Sequence, residues 1–77
     1  MNLLKTVNKI IVEGAMKRAM EDLIEKAAEG TPHGTDDDKY VMNVVAKVLA
    51  MDKSEMFHGD AVECEAMVRG TLGIPKK

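Results

Sequence analysis

YVMNVVAKVLAM, residues Tyr40–Met51, decides the fold. Ten of its twelve residues are apolar, and the two exceptions, Asn43 and Lys47, lie four apart. On a helix that spacing sets both on one thin polar stripe, which Lys39 continues upstream. Most of the remaining circumference is apolar, so such a helix must be covered on more than one side. The stretch is expected to be a central helix against which the other segments pack.

Immediately upstream, EGTPHGT (29–35) reads as a loop that reverses the chain. Gly30 suits the left-handed residue that ends a helix, and Pro32 cannot continue one. Thr35 is the expected N-cap of the central helix, with Asp38 three residues on as its reciprocal partner. Asp36, Asp37 and Asp38 fall in the first turn, where the helix dipole favours negative charge. Helix-start duty therefore accounts for the triple Asp without a metal or substrate site.

Downstream, Asp52 with Glu55 and Asp60 with Glu63 have capping-pair spacing. They predict a short helical turn at 53–58, a break at Gly59, and a last helix over 61–72. Ala61, Cys64, Val68 and Leu72 form its inner stripe, Gly73 and Pro75 end it, and Lys76–Lys77 is a solvated tail.

Farther out lies residues 3–28, which contain no proline and one weak point, Gly14. Their apolar residues divide into two sets. Leu3, Leu4, Val7, Ile10 and Ile11 share one helical face. Val12, Met16, Ala19, Met20, Leu23 and Ala27 share another, turned about 150–180° away at 100° per residue. A mid-helix glycine costs only about 1 kcal/mol and no turn-forming cluster accompanies it, so one continuous helix with two faces is expected. The second face, through Val12, Met16, Met20 and Leu23, is nearer the Gly30 reversal and should lie on the central helix. No segment alternates with a period of two over strand length. The fold class is all-α: a single small helical domain over 1–77, of three main helices plus a short helical turn.

With 77 residues and one cysteine, Cys64, the chain has no intrachain disulfide to reinforce a thin core. An unpaired thiol suits a reducing compartment, and 3–14 carries Lys5, Asn8 and Lys9 inside its apolar stretch, unlike a secretory signal. A cytoplasmic location follows as the expectation. No stretch approaches the roughly 18 apolar residues that a membrane span requires. Tyr40 and Phe57 are the only aromatics, so the core must be aliphatic and methionine.

The net charge of −2 does not by itself imply a nucleic-acid partner. Its distribution is uneven. Residues 1–20 carry Lys5, Lys9, Lys17 and Arg18 against Glu13, a net +3; residues 21–40 carry seven acids against Lys26 and Lys39, a net −5. Solvated helix faces explain such runs, and head-to-tail complementarity between copies or with a partner is the sharper reading.

Candidate chemistry fails on residue type. Asp52, Ser54 and Glu63 outline a calcium loop, yet its fifth and sixth positions are Met56 and Phe57. A thioether does not ligate calcium, and Phe57 cannot replace the turn glycine. His33, His58 and Cys64 lack zinc-site spacing. Cys64 lies between Glu63 and Glu65, which disfavour a thiolate. The expectation is no enzyme, no metal and no cofactor. The last helix, read as a base-reading helix, would bring three acids and one Arg toward phosphate.

What remains is a small protein–protein interaction module, of adaptor or inhibitor type, that forms homo-oligomers and occupies a partner's surface. Leu4, Val7, Ile10 and Ile11, with Lys5, Lys9, Lys17 and Arg18 around them, are its candidate interaction residues. The alternatives are a nucleic-acid-associated regulator using the basic N-terminal helix, and an oligomer holding a small ligand between subunits. A membrane-surface role for that helix is less favoured than packing.

Overall fold

The computed structural model describes the backbone of residues 3–76 and the side chains of residues 14–76. Three helices follow one another: α1 over Leu3–Glu29, α2 over Asp37–Met51 and α3 over Ala61–Leu72. Each packs against the other two. No strand occurs among the described residues, and α1 passes through Gly14 without a break.

The core is built around α2. Tyr40, Val41, Val44, Val45 and Val48 are buried there, with Met20, Ile24 and Ala27 from α1 and Cys64 and Val68 from α3. β-Branched valines suit this position, because their stiff side chains lose little rotamer freedom when buried. The polar stripe falls outside: Lys39, Asn43 and Lys47 are all exposed. Coverage stops short of the full circumference, however. Met42 is 48% exposed, and Ala46 and Ala50 face solvent, because only two helices are present to cover α2.

The expected inner face of α1 needs correction. Met20 and Ala27 are buried and Leu23 is half-buried, whereas Met16 is 48% exposed and Ala19 is exposed. Val12 lies outside the described side chains. The position that completes the stripe is Ile24, wholly buried, which gives 20, 24 and 27 the i, i+4, i+7 spacing of a packed helix face. Met16 lies a full turn before that stripe.

The helix ends differ from expectation by small steps with clear causes. Asp36, not Thr35, caps α2: its backbone is extended (φ −106°, ψ 103°) and Oδ1 accepts the Lys39 N–H at 3.1 Å. A carboxylate here satisfies a free donor and also meets the positive end of the helix dipole, so it displaces the neighbouring hydroxyl. Gly30 is not left-handed; the glycines at positive φ are Gly34, Gly59 and Gly73. The end of α1 is instead closed by Thr31, whose N–H reaches Ala28 O (3.1 Å) and whose hydroxyl reaches Ala27 O (2.8 Å). Lys47 Nζ donates to Gly30 O at 2.6 Å. At α3 the caps are as expected: Asp60 accepts the Glu63 N–H (3.1 Å), and Gly73 at φ 72° turns the chain so that Ile74 N–H meets Arg69 O (3.0 Å). Of the expected inner stripe of α3, Cys64 and Val68 are buried and Leu72 is half-buried; Ala61, in the opening turn, is exposed.

Residues 53–58 do not form the expected helical turn. Asp52 uses both carboxylate oxygens on backbone N–H groups, Oδ1 on Met56 and Oδ2 on Phe57, each at 2.9 Å. Glu55 (φ 54°) and His58 (φ 51°) take left-handed conformations that no right-handed helix contains. The result is a pair of tight turns that drives Phe57, fully buried, into the core.

Asp36→Ala should therefore lower stability by about 0.5–2 kcal/mol, as should Asp60→Ala, while Thr35→Ala should have little effect. Urea midpoints compare the three; a larger loss at Thr35 than at Asp36 would contradict this placement of the cap.

Candidate functional surface

The two halves of α1 differ in their surroundings. Its 27 residues extend about 40 Å, against about 22 Å for α2 and about 18 Å for α3. The molecule measures 51 × 27 × 19 Å, so among the three helices α1 alone exceeds both shorter dimensions. From Gly14 to Ala19 every residue is exposed, and burial begins at Met20. Lys17 and Arg18 are thus on the surface, as expected. The side chains of Leu4, Lys5, Val7, Lys9, Ile10 and Ile11 lie outside the described residues.

Several of the groups considered for chemistry have structural partners. The three consecutive aspartates diverge: Asp36 caps α2, Asp37 Oδ1 lies 2.9 Å from His33 Nε2, and Asp38 Oδ1 accepts from Arg69 at 3.1 Å. His33 also stacks on Tyr40, ring centroids 4.0 Å apart and planes 19° from parallel. That stack fastens the 30–36 loop to the first turn of α2. A depression of about 380 Å³ between them, bordered by His33, Asp36, Tyr40 and Asn43, has His33 and Asp36 already paired in this way.

Asp52, first residue of the calcium-loop outline, has turned its carboxylate onto the amides of Met56 and Phe57. Among the described residues, no group of three His, Cys, Asp or Glu side chains is placed to hold a metal ion. Arg69, the only cation on α3, is 11% exposed and holds Glu65 (2.9 Å), Asp38 and the Pro75 carbonyl (3.3 Å). Its bond to Glu65, ahead of that to Asp38, raises its pKa from an already high value. That engagement ties α3 to α2 and to the C-terminal turn.

Cys64 is fully buried, and burial first, then Asp52 and Glu63, push its thiol up to about 11 from an ordinary 9.0. Such a thiol is a packing group. Because the folded value lies above the unfolded one, its contribution to stability is complete below pH 9 and is lost as pH rises toward 11. Cys64→Ala should flatten that alkaline decline in urea midpoints. In the native protein at pH 8 an aromatic disulfide reagent should label Cys64 orders of magnitude more slowly than in denaturant. Equal rates would contradict the buried thiol.

A second depression, of about 310 Å³, lies between α1 and α3. Among the described residues the exposed large apolar side chains are Met16 on α1, Met42 on α2, which shares a helix face with the exposed Ala46 and Ala50, and Val62, 81% exposed, on α3. Among the described residues no helix is long and apolar enough to cross a membrane. Comparison with protein-family models, curated proteins and solved structures finds no match for the chain.

Three residues that matter to the fold were not assigned their roles from the sequence. Ile24 was hidden by assigning the α1 positions to two sets. Asp36 was one residue from the expected cap. Phe57 carried a signal, as one of two aromatics in a chain with a thin core, but its path into the core depends on the Asp52 hydrogen bonds, which a spacing pattern does not reveal.

Proposed function

We propose that the protein is a small non-enzymatic interaction module, of adaptor or inhibitor type, that self-associates and occupies a partner protein's surface through the N-terminal half of α1. The supporting observation is the mismatch along α1: a continuous helix of 27 residues whose described part enters the core only at Met20. Upstream, the sequence supplies Leu4, Val7, Ile10 and Ile11 at helical spacing, more apolar surface than a soluble helix leaves uncovered. Lys5, Lys9, Lys17 and Arg18 surround that strip and bias the choice of partner toward acidic surfaces.

On this reading Ile11→Asp lowers the assembly state or abolishes partner capture without unfolding the core. The same reading expects no strong binding to duplex DNA. If the basic helix instead served phosphate, affinity would fall steeply between about 50 and 200 mM salt and weaken further in Lys5→Ala/Lys9→Ala. A DNA titration at both salt concentrations decides between these outcomes.

A further inference from the structure

No further inference is drawn: the strongest candidate, the depression between α1 and α3, is walled by Ala66, Met67 and Gly70 and by one charge of each sign, Lys17 and Glu21, so nothing in the structure shows what covers it.

Discussion

Phe57→Ala should leave most of the protein unfolded at room temperature. Phe57 is the largest fully buried side chain among the described residues, and it enters the core from a segment with no helix of its own. Removing a buried phenyl ring costs about 3–5 kcal/mol, comprising lost transfer energy and the cavity left behind. A core in a chain this short rarely supplies more than about 3–5 kcal/mol in total. The loss therefore matches the whole margin. Asp52→Ala should act in the same direction and more weakly, because it leaves the Met56 and Phe57 N–H groups without their acceptor. Far-ultraviolet circular dichroism during urea titration measures both. A Phe57→Ala midpoint close to wild type would mean that the 52–60 segment is peripheral to the fold.

The contrast between those two residues and their sequence signals shows where a linear reading stops. The α2 stretch was legible because one helix carried nearly all the information: apolar residues almost all round, and a stripe at Lys39, Asn43 and Lys47 that indeed faces solvent. Asp60 and Gly73 were legible for a similar reason, since each acts on backbone groups within a few residues. Asp38 was not. Its partner, Arg69, is thirty-one residues away, and only the packing of α3 beside the start of α2 brings them together. The segment at 53–58 misled because Asp52 could satisfy backbone donors either as a helix cap or as the hub of a turn. Spacing permits both; burial of Phe57 accompanies the second. Of the residues proposed for interaction, Lys17 and Arg18 are exposed, and the other six rest on their pattern in the sequence alone.

The second large effect separates core from interaction strip. Val45 is 2% exposed, among the valines that α2 presents to its neighbours. Val45→Asp places an unpaired carboxylate there, at a cost of several kcal/mol, and should abolish helical structure. Ile11 belongs to the other face of α1 by sequence spacing, and Ile11→Asp should leave the chain helical by circular dichroism, with the urea midpoint lowered by no more than the loss of association accounts for. The two substitutions introduce the same charge, so their difference reports location alone.

The most direct test of the proposed role is light scattering after size exclusion, on wild type and on Ile11→Asp at matched concentration. The account predicts a wild type heavier than one chain and an Ile11→Asp variant reduced toward one chain while still helical. A wild type that elutes as a single chain, with Ile11→Asp unfolding as completely as Val45→Asp, would contradict it: Ile11 would then be ordinary core, and the case for self-association would be lost.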